Sequence, residues 1–278
     1  MSKVRVAING FGRIGRNAFK ILHAGSDVEV IAVNDLTDNK TLAHLLKYDS
    51  NYPGHDWYES IVADEDGLVV DGKKVHVFAE KDPAKLPWGV HNIDVVIEST
   101  GFFVDPALAK AHVEGGGAKK VIISAPAKGE GSTTIVLGVN DDDIKATGDV
   151  VNNGSCTTNC VSPVAAVIQS AFGIEKAMMT TVHSYTADQN LQDGPHKDLR
   201  RARAAAKNIV PTSSGAGIAV SEVIPELKGQ FDALSLRVPT SVVSACDFAI
   251  VTKRDVTIEE ANEAVKKAAK EPYYPGIL

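Results

Sequence analysis

Cys156, in the block Ser155-Cys156-Thr157-Thr158-Asn159-Cys160, immediately precedes an apolar run over 161–172 that reads as a helix. A cysteine at a helix N-terminus meets unsatisfied N–H groups and the positive end of the dipole. Both favour the thiolate, the form of the side chain that attacks carbon. His183 closes a strand candidate at 176–182, and a neutral imidazole facing Cys156 would take its proton and leave a thiolate–imidazolium pair. Pro163 lies within the helix and is expected to disturb its second turn.

Plainer roles exist for each residue. A single cysteine and a single histidine are more often packing or surface residues than a catalytic pair. Cys156 and Cys160 have a spacing found in metal sites, but zinc wants about four ligands. Only Cys246 remains, with no histidine partnered to it, so no metal is expected. Cys160, one turn deeper, reads as a buried small hydrophobe and Cys246 as a strand residue in the core.

A second constellation stands near the start of the chain. Gly10, Gly12 and Gly15 read G-x-G-x-x-G directly after a strand candidate at 3–8. Such a turn brings backbone N–H groups against a pyrophosphate at a helix N-terminus. Asn34-Asp35 ends the next strand candidate, 28–33, where a carboxylate would accept hydrogen bonds from both hydroxyls of a ribose. Three turn glycines and a solvated aspartate are the plainer reading. Because Asp35 would repel a 2′-phosphate, NAD is favoured over NADP as the dinucleotide.

The chain that positions these groups has 278 residues, 44% of them hydrophobic, a length that suggests two domains and excludes disorder or a small disulfide scaffold. No apolar run reaches the ~18 residues of a membrane span. The opening Met1-Ser2-Lys3 leaves no room for a signal peptide before the first strand, so a cytoplasmic protein without a membrane partner is expected. The 35 acidic and 29 basic side chains argue against nucleic acid as a specific partner. Three cysteines cannot all pair, which points to a reducing compartment.

Further strand candidates at 94–97 and 121–124 are short, β-branched and apolar throughout, as parallel strands covered on both faces should be. The pattern predicts an α/β fold: an N-terminal doubly wound parallel sheet of Rossmann type over 1–154. An antiparallel excursion within it is expected over 48–87, with strands at 68–70 and 75–78. The second domain, 155–278, is expected to be α+β with a mixed or antiparallel sheet built from 176–182, 235–238 and 242–252. Near its end Thr257 and Glu260 form a capping box, and Ile258, Ala261, Val265 and Ala268 make an apolar helical stripe. No internal repeat, low-complexity tract or flexible linker is found.

Together these segments strongly resemble the phosphorylating glyceraldehyde-3-phosphate dehydrogenases. The match extends from residues 6–16 through Asn34-Asp35-Leu36-Thr37-Asp38, Ser99-Thr100-Gly101, residues 155–160, His183-Ser184-Tyr185-Thr186 and residues 195–206 to Arg237-Val238-Pro239-Thr240. It covers nearly the whole chain in the family's order. The Ser-Cys-Thr-Thr-Asn-Cys block followed by His-Ser-Tyr-Thr is its specific part, since the glycine motif alone fits any Rossmann enzyme.

The resemblance implies that Cys156 is the nucleophile and that His183 activates it and shuttles protons. The thiolate would attack the aldehyde of glyceraldehyde 3-phosphate, the adduct would yield a hydride to NAD and become a thioester, and inorganic phosphate would release it as 1,3-bisphosphoglycerate, a step of glycolysis. By the same likeness Thr186, Arg201 and Arg237 hold the substrate phosphate, and Ser155, Thr157, Ser214 and Gly215 surround the inorganic one. Asn9, Gly10, Gly12, Arg13, Ile14, Gly15, Asp35, Lys81, Thr100 and Ser124 occupy the dinucleotide positions. Lys81 stands where arginine is common and serves equally as a solvated lysine. For Lys197, Arg200, Arg201 and Arg203 the plainer reading is a basic helix face balanced by Asp198, which the neighbours of Arg201 outweigh. The irregular stretch 184–197 resembles a loop that reaches a neighbouring subunit's cofactor, so a homotetramer is implied.

Several positions depart from the family pattern. Gly194-Pro195 replaces Leu-Pro, loosening a steric barrier to a 2′-phosphate and leaving dual NADP use open, and Ser241-Val242-Val243 replaces the usual Pro-Asn-Val. The chain stops at Tyr273-Tyr274-Pro275-Gly276-Ile277-Leu278, several tens of residues before family members usually end. It is therefore read as a shortened form. The expected losses are the last catalytic-sheet strands, the aromatic block whose asparagine contacts the nicotinamide amide, and the terminal helix. Erythrose 4-phosphate is the nearest alternative substrate, and a non-catalytic dinucleotide-binding module is the alternative from another class.

Overall fold

A computed structural model describes residues 2–25, 27–53, 56–271 and 276–278. Of the chain end named above, Tyr273, Tyr274 and Pro275 lie outside the described residues, as does Met1. The chain divides into two compact units, Met1–Thr134 with Lys145–Asn153, and Ile135–Ile144 with Gly154–Leu278. The short crossing at Ile135–Ile144 has a packing cause, because Val136 is buried in the second unit's core.

The first unit runs β1 (Val4–Asn9), α1 (Arg13–Ala24), β2 (Val28–Asn34), α2 (Asn39–Lys47), β3 (Val62–Ala63), β4 (Gly67–Val70), β5 (Lys73–Phe78), β6 (Val95–Glu98), α3 (Pro106–Ala109), α4 (Ala111–Glu114), β7 (Lys120–Ile123), β8 (Thr133–Thr134) and β9 (Val150–Asn152). Among the described residues these strands form one nine-stranded sheet in the order β3-β4-β5-β2-β1-β6-β7-β9-β8. β2, β1, β6, β7 and β9 are parallel. β3 and β4 pair antiparallel, but β5 rejoins β2 in parallel, so the excursion extends the same sheet.

β1 is buried on both faces: Val6 and Ile8 belong to one apolar cluster with Phe11 and Phe19, and Ala7 to another with Val96 and Val121. That explains its nearly continuous apolar sequence. The strand order reverses at β1, and there Asn34, Asn9 and Glu98 close β2, β1 and β6 side by side in register. In an open α/β sheet this C-terminal edge beside the reversal is where ligands bind.

The second unit continues with α5 (Cys156–Phe172), β10 (Ile174–Ser184), β11 (Val210–Ser213), α6 (Ala216–Val223), β12 (Phe231–Val238), β13 (Ala245–Thr252) and α7 (Ile258–Ala268). Its four strands lie in the order β11-β12-β10-β13; β10 is parallel to β12 and antiparallel to β13, so the sheet is mixed. Ala177 and Met179 of β10 pack with Val161 and Ala165 of α5 and with Val220 of α6. Burial alternates along β10, and His183 shares the parity of Ala177 and Met179. The same face therefore turns His183 toward α5.

Three local expectations are corrected. α5 runs without a break through the buried Pro163, which removes one N–H from the ladder while its ring packs inside. Cys160 is exposed: the buried stripe of α5 runs through Thr157, Thr158, Val161, Ser162 and Ala165, and residue 160 falls off it. Lys197, Arg200, Arg201 and Arg203 lie in irregular chain between β10 and β11, so there is no helix face there. α7 carries the expected Thr257–Glu260 capping box, although Ile258 of its stripe is exposed.

Candidate functional site

Ser155 starts α5. Its hydroxyl accepts from Thr158 N at 2.9 Å, and its own N–H donates to Thr158 Oγ1 at 3.3 Å, a capping box that places Cys156 at the first helical position. Cys156 Sγ lies 3.3 Å from His183 Nε2. His183 Nδ1 is 2.6 Å from the Ser184 carbonyl oxygen. A carbonyl can only accept, so Nδ1 carries the hydrogen and Nε2 presents a lone pair to the thiol. The hydrogen bond to His183 holds the Cys156 thiol below its ordinary value against desolvation, helped by the hydroxyl and N–H of Thr157. Cys156 is exposed and His183 buried, so the sulfur is open to a reactant while its base is held in place. At Cys160, partial burial of the sulfur and its neighbour Cys246 push the thiol up to about 11, which leaves it protonated.

Beside the pair lies a cationic cluster. Arg237 stands in register with His183 across β12 and β10. Its Nη1 donates to Thr186 Oγ1 at 2.8 Å and to the Ser184 carbonyl at 3.3 Å. Thr186 Oγ1 in turn donates to Asp188 Oδ1, whose other oxygen accepts from Arg201 Nη1 at 2.8 Å. Arg201 Nη2 reaches Thr212 Oγ1 at 3.2 Å. Thr186, Arg201 and Arg237 are thus brought together, with Asp188 linking two of them. Burial and neighbouring Arg201 lower the Arg237 guanidinium, and the Nε atoms of both arginines are buried without a partner. Two guanidiniums with spare donors suit a doubly charged oxyanion.

Of the four residues expected around the second phosphate, Ser155 and Thr157 open α5. Ser214 and Gly215 precede α6, where Ser214 Oγ accepts from Ala216 N at 3.2 Å. Each pair stands at the start of a helix, and a Cβ on Gly215 would meet open space.

The first unit carries a cavity of about 500 Å³, lined by Asn9, Gly10, Gly12, Asp35, Lys81 and Thr100 among others. The glycines divide the work. Gly10 has φ +91° and a Cβ there would sit 2.7 Å from Thr100 N; a Cβ on Gly15 would sit 2.0 Å from the Gly10 carbonyl, so α1 can lie against the turn only without one. Gly12 faces open space, which a phosphate group needs. Asp35 braces the turn by accepting from Phe11 N at 2.8 Å and Thr37 N at 3.0 Å. Its remaining lone pairs suit ribose hydroxyls, so these residues fit a dinucleotide.

Other expected cofactor residues are placed differently. The Arg13 side chain turns to Asp49 at 2.8 Å, leaving its main chain at the first turn of α1 as the group offered to an anion. Ile14 is exposed on that turn. Ser124 follows β7, its N–H donating to the Glu98 carbonyl at 2.9 Å.

Sequence reasoning missed Asp188, Asp49, Glu98 and His112. Asp188 lies in an irregular stretch with no periodicity to read, and Glu98 looks like a polar strand terminus. Only the pairing of distant segments reveals them. Among the described residues no cluster of metal-ligating side chains occurs, and no helix is long and apolar enough to cross a membrane.

Residues 4–106 match the family model described as "Glyceraldehyde 3-phosphate dehydrogenase, NAD binding domain", and residues 155–278 match "Glyceraldehyde 3-phosphate dehydrogenase, C-terminal domain". Glyceraldehyde-3-phosphate dehydrogenase 1 of Bacillus subtilis is 56% identical over 268 residues, 96% of this chain and 79% of the relative. Glyceraldehyde-3-phosphate dehydrogenase 1 of Streptomyces arenae is 54% identical over 280 residues, 99% of this chain and 82% of the relative. The enzyme of Priestia megaterium is 54% identical over 268 residues.

Proposed function

We propose, since this chain belongs to the glyceraldehyde-3-phosphate dehydrogenase family, that it oxidises glyceraldehyde 3-phosphate through a thioester on Cys156 and releases the product with inorganic phosphate. The observation that carries this reading is the 3.3 Å approach of Cys156 Sγ to His183 Nε2, with Nδ1 anchored to the Ser184 carbonyl.

The Cys156 thiol passes its proton to His183 Nε2, and the sulfur bonds to the aldehyde carbon. The carbonyl oxygen takes up that proton as the hemithioacetal forms, and His183 removes it again as the adduct is oxidised to a thioester. NAD, when bound, supplies the hydride acceptor. A phosphate oxygen then attacks the thioester carbon, the C–S bond breaks, and the Cys156 thiolate departs with the acyl phosphate as product. Thr186, Arg201 and Arg237 would hold the ester phosphate throughout, and Ser155, Thr157, Ser214 and Gly215 the attacking one. Asn9, the glycine turn with Arg13 and Ile14, Asp35, Lys81, Thr100 and Ser124 would hold the dinucleotide.

A homotetramer and a cytoplasmic location belong to the same reading. The homotetramer has physical support in the outer face of the four-stranded sheet, where Met178, Val182 and Val251 are exposed and an interface would cover them.

The decisive measurement follows NADH formation from glyceraldehyde 3-phosphate with and without inorganic phosphate, for the native chain and Cys156→Ser. The native rate should require phosphate, and Cys156→Ser should lose activity by about three orders of magnitude or more while still binding NAD. A phosphate-independent rate, faster turnover of erythrose 4-phosphate, or an active Cys156→Ser would overturn the assignment. NAD binding by a native chain that oxidises neither aldehyde would favour the non-catalytic module. Light scattering checks the tetramer.

A further inference from the structure

Behind the dinucleotide cleft lies a buried polar network that no step of the proposed reaction uses. Glu98, the last residue of β6, is 2% exposed, and no lysine or arginine is among its described partners. Its Oε1 accepts from Thr100 N at 2.8 Å and Thr100 Oγ1 at 2.5 Å. Its Oε2 takes Asn9 Nδ2 at 2.5 Å and lies 3.1 Å from His112 Nε2. Those four contacts match the roughly four lone-pair sites of a carboxylate, the arrangement that makes burial of its charge tolerable.

The direction of the network is set at its far end. Trp88 Nε1 lies 2.9 Å from His112 Nδ1, and both residues are fully buried. An indole N–H can only donate, so Nδ1 is the acceptor and the ring hydrogen resides on Nε2, aimed at Glu98. With Oε2 so occupied, the Asn9 amide has one orientation: Nδ2 toward Glu98, Oδ1 accepting from Asn34 Nδ2 at 2.6 Å. Asn34 passes the constraint across the cleft, donating to the Glu80 carbonyl and accepting from Glu80 N, each at 2.9 Å. Thr100 Oγ1, spent as a donor to Glu98, accepts from Phe102 N at 3.1 Å. Asn9, Asn34, Glu80, Thr100 and Phe102 line the cavity; Glu98, His112 and Trp88 do not.

We propose that His112 is a positioning residue for the dinucleotide cleft, acting through the Glu98 carboxylate to fix Asn9 and Thr100 before the cofactor arrives. The inference rests on the reading that this cleft takes NAD. Without the Nε2 donor, Glu98 keeps a buried lone pair that only a shift of Asn9 or Thr100 can serve, and both residues line the cavity. A hydrophobic residue could fill the space beside Trp88 and Phe103 and preserve packing, but not this hydrogen bond.

The test compares native protein with His112→Phe, His112→Gln and Glu98→Gln. A glutamine at 112 can place an amide N–H near the Nε2 position, and a phenylalanine cannot. Calorimetry on cofactor-free protein should find NAD affinity weakened about ten- to a hundred-fold in His112→Phe, the size of one lost hydrogen bond to a charge. His112→Gln should stay within about threefold of native, since it keeps that donor. The Thr100 amide should exchange its hydrogen faster in cofactor-free His112→Phe, and KM for NAD should rise with kcat little changed. If His112→Phe fails to fold, Glu98→Gln carries the test, because an amide cannot accept four donors and NAD affinity should fall. Native-like affinity in a folded His112→Phe or Glu98→Gln, or equal loss in both position-112 variants, overturns the proposal. Failure of the native chain to bind NAD would instead overturn the reading beneath it.

Discussion

His183 and Arg237 share one acceptor: the Ser184 carbonyl oxygen lies 2.6 Å from His183 Nδ1 and takes Arg237 Nη1 at 3.3 Å. The two residues are also in register on neighbouring parallel strands. The base beside the sulfur and a guanidinium of the cationic cluster are therefore oriented by the same oxygen. Loss of Arg237 should disturb more than anion affinity.

Arg237→Leu is expected to raise KM for glyceraldehyde 3-phosphate by about tenfold to a hundredfold, the scale of one charge-assisted hydrogen bond. It should also lower kcat for unphosphorylated glyceraldehyde, which has no phosphate to lose, because His183 is less firmly held. Steady-state kinetics with both aldehydes separate the two effects. An unchanged rate on the unphosphorylated aldehyde would break the link through Ser184.

Since the hydrogen bond to His183 is the main influence holding the Cys156 thiol low, His183→Asn should shift alkylation by iodoacetamide to higher pH. The thiolate population then rises only nearer the ordinary thiol range. Rates followed across pH in the two proteins check this, and superimposable profiles would refute activation by His183.

Asp35→Gly should raise the ratio of kcat/KM for NADP over NAD, since the carboxylate that would repel a 2′-phosphate is gone. Asp35 also anchors Phe11 N and Thr37 N, so affinity for NAD should fall in absolute value. Kinetics with each cofactor report both changes.

Asp49 accepts from Arg13 Nη1 and Lys20 Nζ, each at 2.8 Å, and Lys20 is nearly as buried as Asp49 itself. Burial pushes this carboxyl up, but Arg13 and Lys20, with Asn51 N and Tyr52 N, hold it well below the usual carboxylate range. A carboxyl lowered in the folded state contributes stability that is complete above its unfolded value, near 3.8, and fades as pH falls below that. Asp49→Asn should therefore destabilise the protein at neutral pH by about 3–5 kcal/mol, chiefly by leaving Lys20 buried and unpaired. The gap from native should narrow in acid, as thermal melts at several pH values can measure.

The chemistry-bearing residue types and the positions of most strands were legible in order along the chain, because they are written in local pattern. Continuous β-branched runs mark doubly covered strands, a serine before a helix marks its cap, and G-x-G-x-x-G leads into α1. β11 and α6 were not legible, since Pro211 and a string of small residues carry neither period. Nor were the partners Asp188, Asp49 and His112.

What the sequence by itself determined is the set of groups and their local backbone: a cysteine opening a helix, a histidine closing a strand, glycines where a Cβ would clash. What only the tertiary structure decided is which proton sits where. Packing of α5 on the inner face of β10 sets Nε2 against the sulfur. A strand's carbonyl and a distant indole select opposite tautomers for His183 and His112. Hydrogen-bond direction depends on atoms that meet across 14 to 89 residues of chain within the first unit's network, and no local period records such meetings.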